Sequence, residues 1–244
     1  MKKVACVSDL HLFCRRSRAE DYMPEIETAI AESDIFIFNG DTFDFRWSTF
    51  RDIEETVRES VAWLERVTEK WPACQFYLLL GNHDTVTPFM DAMDAFVPSV
   101  PNIEWYQYHL RLDDHLFLHG DVADRMMTAS DLEAYRREWM QDEQRGERLN
   151  RIHDFAFGIG IHKLINRFWF PNARILKRVQ FHLEDIGHGV ESDIEHVIFG
   201  HTHVHVEQVA HGGQRFSNCG SPMPGIRFEI LRTEVPKGSV VEGV

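Results

Sequence analysis

Seven residues with oxygen or imidazole donors stand at five places where an apolar run breaks off. They are Asp9 with His11, Asp41, Asn82, His119, and His201 with His203. Oxygen and imidazole donors without thiolate suit Mn, Fe or Zn better than a soft metal. One ion takes about three or four protein ligands. Seven donors suit two ions sharing a carboxylate, and Asp41, with two oxygens, is the natural bridge. A single polar residue after an apolar run is an ordinary turn; five such places in one chain are a pattern.

The elements that must position these groups can be read from the same runs. Val4 to Val7, Ile35 to Phe38, Phe76 to Leu80, His115 to Leu118 and Val197 to Phe199 read as buried strands. Met23 to Ala31 looks helical. Ile53, Val57, Val61, Leu64 and Val67 fall at helical spacing, which predicts an amphipathic helix over residues 52–70. Residues 130–190 read mainly as helix, and residues 204–233 as antiparallel strands around Gly212-Gly213. Strands alternating with helices predict an α/β domain, whose ligands gather beyond the carboxyl ends of the strands.

Asp9-Leu10-His11, Gly40-Asp41-Thr42-Phe43-Asp44, Gly81-Asn82-His83-Asp84, His119-Gly120-Asp121 and Gly200-His201-Thr202-His203 together resemble the signature blocks of the calcineurin-like metallophosphoesterases, in the same order. The resemblance implies a sandwich of two mixed β-sheets flanked by helices. It implies one metal on Asp9, His11, Asp41 and His203, and another on Asp41, Asn82, His119 and His201. Asn218-Cys219-Gly220-Ser221 is similar to a late Asn-Pro-Gly-Ser turn of many relatives, with Cys219 in place of Pro.

The chemistry expected is hydrolysis of a phosphodiester or pyrophosphate, with water held between two divalent ions, Mn²⁺ first and Fe or Zn next. The leaving oxygen needs a proton. The resemblance gives His83 that role and makes Asp44 the carboxylate that orients it, with Asp84 and Asp121 supporting the ligands. Arg46, Arg15, Arg16 and Arg18 follow two of the blocks, and a guanidinium there could grip a substrate phosphate, Arg46 being the one retained as a substrate-binding candidate.

About eighty residues separate His119 from His201, more than the bare family core needs, so residues 124–190 are expected to form a helical insert or lid. Residues 151–180 hold Phe155, Phe157, Phe168, Trp169 and Phe170. They also hold Arg151, Lys163, Arg167, Arg174, Lys177 and Arg178 against Asp154 alone. Aromatic faces with basic flanks suit either a lid over an amphiphilic anion, with Phe168 and Trp169 against the substrate, or a helical pair packed on the core. The bacterial UDP-2,3-diacylglucosamine pyrophosphatases are similar in length, in the Gly-Asp-x-Phe-Asp block and in carrying a helical cap here. They typically have Arg where this chain has His83. That resemblance implies cleavage of UDP-2,3-diacylglucosamine to UMP and an acylated sugar phosphate, at the inner face of the membrane. The alternatives are a general phosphodiesterase, nucleotidase or protein phosphatase, and, from another class, a scaffold with the same fold and no catalysis.

Composition bounds these readings. The 244 residues, 43% of them hydrophobic, suit a single domain over residues 1–244. A formal charge of −13 repels polyphosphate backbones, so duplex nucleic acid is not an expected partner, and a nuclease would need a basic track. The expected partner is a phosphorylated small molecule or lipid-linked nucleotide. Four cysteines without CxxC spacing, a first apolar run too short for a signal peptide, and no apolar stretch of membrane-spanning length predict a cytoplasmic protein, peripheral to the membrane if the lid meets lipid.

Overall fold

The computed structural model describes residues 1–141, 144, 172–238 and 241–244. In chain order the elements are β1 (Lys2–Val7), α1 (Ala19–Ala31), β2 (Ile35–Asn39), α2 (Ile53–Lys70), β3 (Gln75–Leu79), α3 (Thr87–Phe96), β4 (Ile103–Tyr106), β5 (His109–Leu112), β6 (His115–Leu118), α4 (Ala129–Met140), α5 (Asn172–Asp185), β7 (His196–Phe199), β8 (Val206–His211), β9 (Gln214–Asn218), β10 (Leu231–Val235) and β11 (Val241–Gly243).

The strands form two mixed sheets, as expected. The first has the order β10-β1-β2-β3-β4 and the second β11-β5-β6-β7-β9-β8. In the first, β1, β2, β3 and β4 run parallel and β10 closes the edge antiparallel. In the second, β6, β7 and β9 run parallel. The central strands read as unbroken apolar runs because both their faces are covered; Ile35 to Asn39 is buried throughout. Leu110, Leu112, Phe117 and Ile198 of the second sheet pack in one core with Phe36, Phe38, Phe76 and Leu78 of the first. A second core sets Leu116, Val197, Phe199 and Phe216 against Leu132 of α4 and Ile175, Leu176, Val179 and Leu183 of α5.

Local signals explain the ends. Asp52 caps α2 by accepting from the Glu55 amide at 2.8 Å. The expected hairpin turn at Gly212-Gly213 joins β8 to β9, with both glycines at positive φ as a tight hairpin requires. The helix expected from Met23 begins four residues earlier, at Ala19. Strands β4, β5 and β11 and helix α3 were not expected from the sequence.

Two parallel groups, β1-β2-β3 and β6-β7, aim their carboxyl ends at one seam. Asn39, the last residue of β2, fastens that seam. Its side-chain amide donates to Leu118 O of β6 at 3.0 Å and to Ile198 O of β7 at 3.4 Å. All five donor-bearing blocks therefore leave their strands together.

Candidate metal centre

The loops beyond the seam are held by one another. Asp9 N donates to Gly40 O at 3.0 Å, and His11 N to Asp41 O at 2.9 Å. His201 N donates to Asp9 Oδ1 at 2.9 Å. The Ser221 hydroxyl donates to Asp9 O at 2.8 Å, and Asn218 Nδ2 to Gly200 O at 2.9 Å, so the late Asn-Cys-Gly-Ser turn braces two of the blocks from behind. Asp9, His11, Asp41, His201 and His203 all have positive φ, between 46° and 65°. Non-glycine residues avoid that region, and such strain collects where the surroundings dictate a functional geometry.

Small residues let the loops close up. A Cβ on Gly40, whose φ is 85°, would meet the His119 ring, and one on Gly81 would run into the Asp41 carboxylate.

The donors converge in two groups. Asp9, His11 and His203 form the first, with His203 Nε2 at 3.4 Å from Asp9 Oδ1 and 3.1 Å from His11 Nε2. Asp41, His119 and His201 form the second. Asp41 belongs to both neighbourhoods: its Oδ2 is 3.6 Å from His11 Nε2 and 3.3 Å from His119 Nε2. Asn82 Oδ1 joins the second at 3.0 Å from His201 Nδ1. All seven expected donors thus stand together.

A divalent cation fits between them. His119 Nε2 is buried and has no hydrogen-bond partner, its approach to Asp41 lacking hydrogen-bond geometry. A buried nitrogen left unpaired is costly unless something else takes its lone pair. His11 Nε2 and His203 Nε2 face each other at 3.1 Å: either one carries hydrogen and donates to the other, or both are unprotonated and a cation accepts both lone pairs. Asp9, Asp41 and Asp44 are buried carboxylates in the same space, where unpaired charge is expensive.

The outer nitrogens of the histidines are tied down. His11 Nδ1 lies 3.2 Å from Asp44 Oδ2, leaving Nε2 toward the centre. His201 Nε2 lies 3.0 Å from Asp124 Oδ1, leaving Nδ1 toward Asn82. A carboxylate on the far nitrogen sets both the tautomer and the ring orientation. Asp124 carries no sequence signal that separates it from an ordinary surface acid.

His83 stands at the edge of the cluster. Its Nδ1 is 3.0 Å from Asp44 Oδ1, and its side chain keeps 18% of its exposure. Burial opposes its charge, but Asp44 and Asp41 outweigh burial and lift its pKa to about 9 in the metal-free chain. Burial likewise opposes the charge on Asp44, yet His83 and His11 hold its carboxyl well below the usual range. Asp84 is hydrogen-bonded to backbone amides, not to a donor side chain. It accepts from Thr42 N at 2.8 Å and from Gly81 N, joining two of the loops. Asp121 pairs with buried Arg136 instead of with a ligand.

The flank beyond His83 is aromatic and cationic. The Trp139 ring lies 5.2 Å from the His83 ring, and the Arg46 guanidinium stacks 4.6 Å over Trp139. Arg16 stacks 5.0 Å over Trp47. Arg18 is taken up by Asp21 at the surface. Phe168 and Trp169 lie outside the described residues. Within residues 172–180, Ile175, Leu176 and Val179 are core, and Arg178 donates to Ala123 O at 2.6 Å.

A family model described as calcineurin-like phosphoesterase matches residues 2–205. No curated protein matches the chain. Among the described residues no helix is long and apolar enough to cross a membrane, and Cys6, Cys14, Cys74 and Cys219 are free and buried.

Proposed function

The chain belongs to the calcineurin-like phosphoesterase family, and from that premise we propose that it hydrolyses a phosphodiester or pyrophosphate with two divalent ions, Mn²⁺ foremost. The observation that carries this reading is the convergence of Asp9, His11 and His203 on one side of Asp41, and of His119, His201 and Asn82 on the other. In it, Asp9, His11, Asp41 and His203 hold one ion, and Asp41, Asn82, His119 and His201 the other. Two such ions supply a nucleophilic water at neutral pH and neutralise charge on the phosphoryl oxygens.

The chain's own residues do the rest. His83 donates from Nε2 to the leaving oxygen, because Asp44 occupies its Nδ1 and so fixes which nitrogen is presented. Its partial exposure keeps that nitrogen within reach of a substrate. Arg46, stacked on Trp139 beside His83, is the guanidinium placed to meet a phosphate oxygen of the substrate.

The substrate proposed is a lipid-linked nucleotide of the UDP-2,3-diacylglucosamine type, cut to UMP and an acylated sugar phosphate at the inner membrane face. The Gly40–Asp44 block and the aromatic and basic composition of residues 151–180 support it, and Phe168 and Trp169 are the residues proposed to meet the acyl chains. His83 favours a second reading, a more general phosphodiesterase, since those enzymes typically carry Arg there. A screen of purified protein with Mn²⁺ on phosphomonoesters, diesters, nucleotide pyrophosphates and the detergent-dispersed lipid nucleotide separates them. Cleavage of the lipid nucleotide above the soluble diesters is the expected result, and preference for soluble diesters rejects the lipid reading.

A further inference from the structure

Among the described residues the largest fully buried side chain is a charged one, Arg136 of α4, only 1% exposed. Burying a guanidinium costs several kcal/mol unless all its donors are satisfied, and an apolar side chain often packs as well. Its partners show what it achieves. Nε and Nη2 take both oxygens of Asp121, two residues beyond His119. Nη2 also donates to Leu80 O at 2.9 Å, and Nη1 to Gly81 O at 3.1 Å and to Thr85 Oγ1 at 2.7 Å. Those three acceptors bracket Asn82 and His83.

The guanidinium thus joins the loop after β3, in the first sheet, to the loop after β6, in the second. Among the described residues none of the seven donors hydrogen-bonds to it. Thr85 closes the same turn by donating to Gly81 O at 2.6 Å, and Asp84 ties it to Thr42. A planar fork with several fixed N–H directions specifies a turn in a way that a flexible ammonium does not.

We propose that Arg136 is a positioning residue that sets where Asn82 and His83 stand relative to His119. This rests on the two-ion reading above. Helix α4 is then part of the scaffold of the metal centre, although it opens the interval expected to be an insert.

The test uses the full-length chain, comparing Arg136→Lys and Asp121→Asn with the wild type. Three quantities are read: Mn²⁺ stoichiometry and affinity by calorimetry, Tm after chelation, and kcat and KM on a nitrophenyl diester. Lysine keeps the charge and loses the fork. The expected result is a loss of about 10–100-fold in affinity at one of the two ion sites, the usual cost of disturbing groups that orient metal ligands. The other site should be nearly unchanged, and kcat should fall more than KM rises. Unchanged affinity at both sites, with only a lower Tm, would make Arg136 a plain core ion pair and overturn the proposal. Should Arg136→Lys not fold, Asp121→Asn decides by the same affinities. A wild type that never takes up two ions sinks the two-ion reading itself, a result visible before any variant is made.

Discussion

Asp44 divides its carboxylate between two histidines: Oδ1 is 3.0 Å from His83 Nδ1, and Oδ2 is 3.2 Å from His11 Nδ1. One buried side chain thereby orients both a donor of the proposed first ion and the proposed acid. Changes at His83 and at Asp44 should therefore differ in kind.

His83→Ala should lower turnover by about 10²–10⁴ with metal content close to that of the wild type. The loss should shrink for nitrophenyl esters, whose leaving groups need little protonation, and be largest for alkyl esters. Asp44→Ala should lower turnover and also loosen metal, because His11 loses its partner as well as His83. Kinetics on both ester types, with metal analysis of each variant, check this. Equal losses on the two esters would remove His83 from the acid role.

Gly81→Ala should damage the centre without replacing any donor. The new methyl would collide with the Asp41 carboxylate, and neither the carboxylate nor the backbone behind it can yield freely. Overpacking of this kind costs about 1–3 kcal/mol. Loss of bound metal together with a lower Tm is expected; a variant with normal metal content and activity would mean that the loop relaxes.

Acid should destabilise the fold through histidines remote from the centre. Burial, then His115, lowers the His196 pKa to about 4, and its Nε2 lies 2.8 Å from Ser217 Oγ. Burial, then His188, lowers that of His109 to about 4 as well. Below the unfolded value of about 6.5 the unfolded chain binds protons that the native chain refuses. Stability is therefore full above about pH 6.5 and falls until about pH 4, by up to about 1.4 kcal/mol per unit for each group. Denaturant melts of the wild type and His196→Gln across this range should show a shallower slope in the variant. Parallel slopes would mean that His196 titrates normally.

How much of this was legible in the sequence follows from where each residue sits. The five blocks could be read because each ends a buried strand, so an apolar run breaks at a polar donor. That their loops need positive φ at Asp9, His11, Asp41, His201 and His203 could not, since only glycine advertises that conformation. Asp124, Arg136 and Trp139 were missed because they reach the centre from a helix and its approach, far along the chain from the loops they touch. Arg136 did leave a trace: it follows Leu132 by four residues, on the buried face of α4. Strands β4, β5 and β11 are three or four residues long, too short for alternation to stand out.

The central claim, two divalent ions sharing Asp41, is tested most directly by titrating Mn²⁺ into chelator-stripped protein while following hydrolysis of bis-p-nitrophenyl phosphate. The wild type should be inactive when stripped and should recover to a plateau at two ions per chain, whereas Asp41→Ala should bind neither ion firmly and recover almost nothing. Full hydrolysis by the metal-free wild type in excess chelator would contradict it.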